Sequence, residues 1–396
     1  MNTWPWMRRL AAVLGATVLV TACGGGGSGG VDTGGTGAPL SFSKGPISGF
    51  GSVIVNAVRY DDRFATIVDA DGNAVRRDDL KLGMVAEIDG DAIVAGSAGA
   101  TSTARASRIR IASEIVGPVQ GVSGQTLTVL GQQVRVDAAT AFDTALPLRL
   151  ASLVVGGVVE VYALPDGVTG RYLATRIGLK AAPASYRLRG VVASLDTSAS
   201  ARTFTIGALP VTYAALASEQ LSAVLANGRI VSLRLATAPV NGVWTALRID
   251  DAAAAPSERN QARIEGLVTA IASATTFFVD GVQVNASGAE FTDGAVALGL
   301  RVEVEGALVG GVLIASKVDI KNESESAEIE LDGQIDNDPV GQSFVLRGVT
   351  VRYDGSVRFD DGSAASLIKG ANVEVRGTLA PDGTAVIATR IKFDKP

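Results

Sequence analysis

Ala297-Leu298-Gly299-Leu300-Arg301-Val302-Glu303-Val304-Glu305-Gly306 is one of five copies of a single pattern, and that pattern decides the fold. The copies run from Leu80 to Gly90, Leu153 to Ala163, Leu225 to Leu235, Val296 to Gly306 and Leu367 to Gly377. Their leading glycines, Gly83, Gly156, Gly228, Gly299 and Gly370, follow one another at steps of 73, 72, 71 and 71 residues. Spacing that even is the mark of an array of similar small domains. A Leu or Val three residues before each Gly predicts one apolar helical turn, closed by a glycine with positive φ. A strand follows, in which Val302-Glu303-Val304 and Val373-Glu374-Val375 alternate valines on one face with a glutamate on the other.

Two further signatures repeat with it. Val53-Ile54-Val55-Asn56-Ala57-Val58-Arg59-Tyr60 predicts a tight hairpin, as do Phe277 to Val284 around Asp280-Gly281 and Phe344 to Val351 around Arg347-Gly348. The matching turns are expected at Gly131-Gln132 in repeat two and Gly207-Ala208 in repeat three. Each unit then ends on Ala, a variable residue, a base and a β-branched apolar residue, as in Ala106-Ser107-Arg108-Ile109 and Ala388-Thr389-Arg390-Ile391. Pairing this closing strand with the Val-Glu-Val strand about the intervening turns sets Glu87 against Arg108, Glu160 against Arg176, Glu303 against Lys317 and Glu374 against Arg390. Such cross-strand pairs on an outer face each contribute roughly 0.2–1 kcal/mol and need no catalytic explanation.

The order strand, hairpin, helical turn, hairpin is that of an oligonucleotide- or oligosaccharide-binding (OB) barrel. The expected fold is therefore all-β, a tandem array of five small OB-like β-barrels, with an SH3-like barrel as the alternative. Ala217 to Gly228 is the clearest helical turn, with Ser218 as its cap. The repeats are placed at 41–112, 113–181, 185–252, 261–322 and 327–396. Segments 180–185, 251–260 and 321–328 read as linkers that allow bending between units.

Residues 1–22 precede this array as a signal peptide. Arg8 and Arg9 are followed by an apolar run from Leu10 to Val20, too short for a span, and by Val20-Thr21-Ala22-Cys23. That tetrapeptide resembles the lipobox of bacterial lipoproteins. The resemblance implies cleavage before Cys23, acylation of Cys23, and a tether at the outer membrane, since Gly24 stands where a retention signal has Asp. Residues 23–40, mostly Gly, form the flexible spacer.

Gly49-Phe50-Gly51-Ser52-Val53, Leu80-Lys81-Leu82-Gly83-Met84-Val85 and the recurring Val-Glu-Val-x-Gly together resemble the tandem repeats of bacterial lipoproteins known as domain of unknown function 5666. The likeness is best in repeats one, four and five and weakest in repeat three, where Ser232 replaces the glutamate. It implies a small β-barrel and an envelope location, and supplies no site residues.

Composition narrows the chemistry. The chain has no His and one Cys, so nucleophile systems built on Ser-His or Cys-His and zinc or copper sites built on those ligands are excluded. Loss of Arg8 and Arg9 with the signal peptide takes the net charge from −5 to −7, a poor match for phosphate backbones, and no nucleic-acid partner is expected. Asp69-Ala70-Asp71-Gly72-Asn73 is faintly like part of a calcium loop but lacks the later Glu, and reads as a turn. No catalytic residue, cofactor or metal site is expected. Tyr60, Tyr213 and Tyr353, at the end of the second hairpin strand, are the candidate ligand contacts at a barrel rim. The expected function is a non-catalytic, lipid-anchored envelope scaffold or spacer that binds protein. The alternative is a binder of envelope glycan, and an ester- or glycoside-cleaving enzyme ranks third.

Overall fold

The structure is a computed structural model and describes residues 40–97, 101–167, 170–217, 221, 224–252 and 255–394. The signal peptide, Cys23, the Gly-rich spacer up to Pro39 and the predicted cap Ser218 lie outside the described residues.

Repeat four shows the common plan. Strand one, Arg259–Ser273, is antiparallel to strand two, Thr276–Val279, which turns into strand three, Val282–Asn285. Strand four, Arg301–Val309, pairs with strand one, and strand five, Val312–Ile320, lies between strands four and three, parallel to strand three. The order 1-2-3-5-4-1 closes the sheet on itself, which removes its edges. The same pairings recur in repeats one, two, three and five. Each barrel is filled by the inward residues of its alternating strands, such as Phe277, Val284, Val302, Val304, Leu313 and Val318 in repeat four.

The leading glycines do have positive φ, between 76° and 87°, but they do not cap helices. Each is the third residue of a β-turn. Met84 N–H donates to Lys81 O at 3.2 Å, Gly157 to Val154 O at 2.9 Å and Leu300 to Ala297 O at 3.2 Å. The helical turn predicted upstream is a short 3₁₀ segment in repeats one, two and five, at Arg77–Asp79, Arg149–Ser152 and Ala364–Ser366. In repeat three the described residues of 217–228 form turns, with Leu225 N–H bonded to Leu221 O at 2.8 Å. The turn's amide then locks strand one. Gly83, Gly156, Gly228, Gly299 and Gly370 donate to the carbonyls of Ile47, Val119, Val192, Val268 and Ile335 at 2.8–2.9 Å. The same five residues return N–H bonds to Met84, Gly157, Arg229, Leu300 and Ala371.

The two-residue hairpins form in all five repeats. In repeat two the turn is Leu130-Gly131 rather than Gly131-Gln132, because strand three begins at Gln132 and Leu130, at positive φ, is buried against Gly117.

The five barrels belong to one compact unit, and direct strand pairings join repeat one to repeats four and five and repeat two to repeat three. Strand one of repeat one is in two pieces. Ser41–Pro46 runs parallel to strand one of repeat four, with Ser41 opposite Gln261 and Lys44 opposite Ile264. Gly49–Phe50 runs parallel to strand one of repeat five, opposite Glu330 and Leu331. Gly49 is required there, since a Cβ would stand 2.2 Å from Glu330 O. Repeats two and three join through Ile115 and Val116 against Leu188 and Arg187 and share one core. Residues 321–328 contain a single α-helical turn, Glu323–Ser326, with a capping box from Asn322 and Glu325.

These contacts set the sizes of two substitutions. Gly299→Ala places its Cβ in open space and should cost about 1–2 kcal/mol from positive φ alone. Gly83→Ala should cost more, because its Cβ would also lie 2.2 Å from Thr175 O. Urea midpoints of the two variants test that order.

Candidate functional site

The tyrosines expected at a rim do not form one. Tyr60 is 0% exposed and shares a 2.7 Å hydrogen bond between its hydroxyl and Ser43 Oγ. Tyr213 is 5% exposed, packs on Phe204 and donates to Asp196 O at 3.0 Å. Tyr353 is half-buried between Phe344 and Phe359. Alternation places all three at inward or interstrand positions, where the apolar ring outweighs the polar tip.

The charge pairs are also rearranged. Strand five carries a one-residue bulge in every repeat, at Ser107, Thr175, Leu247, Ser316 and Thr389. The variable residue of Ala-x-base is that extra residue. The Ala faces the last position of the motif and the base faces the residue before it, so Arg108 lies opposite Asp89, Arg176 opposite Tyr162, Lys317 opposite Glu305 and Arg390 opposite Arg376. The predicted partners are thus each displaced by two residues. Glu87 pairs with Arg110 at 2.8 Å, Glu160 with Lys180 at 2.9 Å, Glu303 with Lys321 at 3.3 Å and Glu374 with Arg376 at 3.0 Å. Arg176 turns instead to Asp143, Lys317 to Asp319 and Arg390 to Asp360.

Several of these charges are buried, because the outer face of one barrel is covered by another. At the centre of the molecule Asp280, the first turn residue of the repeat-four hairpin, is 3% exposed. It pairs with Lys44 of repeat one at 2.6 Å and with Arg189 of repeat three at 3.1 Å. Arg189 also reaches Glu114 of repeat two at 3.3 Å, and Lys44 reaches Glu87 at 3.4 Å. Each of four repeats contributes a charged side chain. Burial opposes the charge on Arg189, yet Asp280 and Glu114 raise its pKa above the ordinary guanidinium value. Burial likewise opposes the charge on Asp280, but Arg189 and Lys44 hold its carboxyl below the usual range. For Glu114 burial, reinforced by Asp280, prevails over Arg189 and raises the pKa.

A second junction joins repeats one, four and five. Arg59 Nη1 donates to Asp332 at 2.7 Å, and its Nη2 donates to Glu330. Asn56 Nδ2 donates to the carbonyls of Lys44 and Arg263, both at 3.0 Å, which bolts the repeat-one hairpin to the seam with repeat four. The Asp69 to Asn73 turn has its oxygens engaged. Asp69 Oδ1 accepts the N–H groups of Asp71 and Asn73 at 2.8 and 2.9 Å, and Asp71 pairs with Arg187 and Arg234 of repeat three. Among the described residues no group of three or more His, Cys, Asp or Glu is placed to hold a metal ion.

Three segments, 116–178, 265–319 and 332–392, match the family described as Domain of unknown function (DUF5666). The matched segments fall within repeats two, four and five. Repeat two is therefore nearer the DUF5666 pattern than its sequence suggests, while repeats one and three share the barrel topology outside the matched segments. No curated protein sequence matches the chain. Among solved structures, drosophila Unr CSD456 aligns with 54% of this chain and 98% of its own at 13% identity and a TM-score of 0.14, too low to carry a structural argument. The barrels thus stand on their own strand order, and buried charges join one to another.

Asp280→Asn tests that junction. Its loss leaves Lys44 and Arg189 undercompensated and should destabilise the protein by about 3–5 kcal/mol at pH 7. The folded pKa of Asp280 lies below its ordinary 3.8, so its contribution is present above that value and fades as pH falls through the depressed folded value. Urea midpoints of the wild type and variant should accordingly converge on acidification below about pH 4.

Proposed function

We propose that this chain is a non-catalytic, lipid-tethered protein of the bacterial envelope, whose five-barrel body serves as a rigid scaffold for another envelope protein. The observation that carries the reading is the central junction, where Lys44, Glu114, Arg189 and Asp280 from four different repeats are buried against one another. Ionisable groups that a catalytic site would aim at substrate are engaged in joining barrels. The parallel strand seams from repeat one to repeats four and five serve the same end. Support for a protein partner comes from apolar side chains at the tips of the repeated turn, Val154 and Val155 in repeat two, Leu298 in repeat four and Ile368 in repeat five, all exposed. Support for the tether is Val20-Thr21-Ala22-Cys23 followed by the Gly-rich spacer. Binding of envelope glycan is the second reading. The closed five-stranded topology favours it, since barrels of this order take oligosaccharides through their loops, but the tyrosines that would stack on a sugar are inside or half-inside the barrels.

Fractionation of the producing bacterium should find the wild-type chain in the outer membrane, with Cys23→Ala abolishing acyl labelling at that residue. In-cell crosslinking of the wild-type chain should then capture a specific envelope protein. Co-sedimentation with peptidoglycan sacculi at micromolar protein, without such a crosslink, would replace the scaffold with the glycan reading.

Rigidity has its own test. Gly49→Ala forces a Cβ against Glu330 O and should detach repeat five from repeat one. Small-angle scattering of the variant should show a larger radius of gyration than the wild type.

A further inference from the structure

A cavity of about 410 Å³ lies where repeats one, two and three meet, a volume within the range of small-ligand sites. Seven Lys and Arg line it against five Asp and Glu, in a chain whose net charge is −5. Two of the bases, Lys44 and Arg189, belong to the central junction already described. The other five come from two barrels, Arg108 and Arg110 from repeat one and Arg187, Arg234 and Arg248 from repeat three.

The repeat-three arginines form a row. Strand register sets Arg187 directly opposite Arg234, and Arg234 directly opposite Arg248, so the three share one face of three neighbouring strands. Like charges in directly opposed positions repel and destabilise a sheet unless an anion lies among them. The protein itself supplies little. Arg187 and Arg234 both rest on one oxygen, Asp71 Oδ2. Arg248 holds Asp250 of its own strand at 2.8 Å, and Arg110 holds Glu87 at 2.8 Å. Asp251 is drawn to Arg229, outside the cavity, at 3.9 Å. The Arg108 guanidinium has no ion-pair partner among the described residues.

The sequence carries an independent mark of the same place. Repeats one, two, four and five have a glutamate at the centre of the motif strand, and repeat three alone has Ser232 there. Ser232 lines this cavity, two residues before Arg234. The carboxylate missing from the repeat is thus missing from the wall that carries three arginines.

The chemistry of the guest follows from the row. A guanidinium is a rigid fork of N–H donors that pairs bidentately with carboxylate or phosphate. A carboxylate has two oxygens and satisfies one fork. A phosphate group has three acceptor oxygens and roughly −1.5 to −2 charge, enough to be shared by neighbouring forks.

We propose that this cavity binds a small soluble phosphate ester or diphosphate, with Arg187, Arg234 and Arg248 sharing its phosphate oxygens and Arg108 closing on it from repeat one. The inference is independent of the scaffold reading, since it concerns a guest between the barrels and not a partner on their outside.

Equilibrium dialysis of the full chain, purified in detergent, with radiolabelled inorganic pyrophosphate tests it. One equivalent should bind, and citrate at equal concentration should fail to displace it. Arg108→Gln and Arg248→Gln, both at exposed positions where folding is not at risk, should each weaken binding about tenfold, the loss of one charge-assisted hydrogen bond. Ser232→Glu restores the residue of the other repeats and should abolish binding by returning a carboxylate to the wall, with the circular dichroism of the wild type retained. Arg358→Gln, an exposed arginine of repeat five, should leave binding unchanged. No binding of pyrophosphate, its displacement by citrate, several equivalents insensitive to these variants, or full binding by Ser232→Glu would overturn the proposal.

Discussion

Every barrel depends on one reciprocal pair of backbone hydrogen bonds, between a turn glycine and the bend of strand one. Strand one must run along strand four and then pass to strand two, and at the bend its amide and carbonyl would lose their ladder partners. The turn before strand four supplies both, through the Gly amide and the carbonyl of the next residue. The chain there needs positive φ, which is why glycine recurs about every 72 residues. With that contact made, strands one and four are in register and the five-stranded order can close.

A second recurring device, the bulge in strand five, decides where the charges go. The extra residue twists the strand and shifts its register by one place, half of the two-residue offset between each base and its expected partner. The glutamate of Val-Glu-Val then meets a base farther toward the end of its own repeat, as for Glu87, Glu160 and Glu303, or on its own strand, as for Glu374. Glu87 meets two bases of repeat one, Arg110 and Lys44, and the Lys44 ammonium also bonds Asp280 of repeat four. Buried ion pairs of this kind add little net stability over an apolar contact, but leaving one member alone is costly, so they select one arrangement of barrels against others.

The barrels are accordingly less independent than their repetition implies. Repeats two and three share a single core, and repeat one packs Tyr162, Leu164 and Leu173 of repeat two and Leu267 of repeat four into its own. A unit near 72 residues buries a modest share of its surface by itself. Covering outer faces with neighbours makes up the difference and leaves polar space between them, as between Arg108 and Arg234.

The sequence by itself determined the number of units, the five hairpins, the positive-φ glycines and the barrel class, because each of these follows from local period and turn chemistry. It misplaced the repeat-two turn by one residue, since Leu130 adopts positive φ only with the packing against Gly117 to hold it. It misread the glutamate partners, since a bulge leaves no mark beyond the spacing of Ala-x-base. Alternation distinguishes the inside of a barrel from its outside, but not an outside facing water from one facing a neighbour. Only the tertiary structure decided that, and with it the burial of Lys44, Arg189 and Asp280, because those depend on contacts between residues of different repeats far apart in the chain, 75 positions for Glu114 and Arg189 and 91 for Arg189 and Asp280.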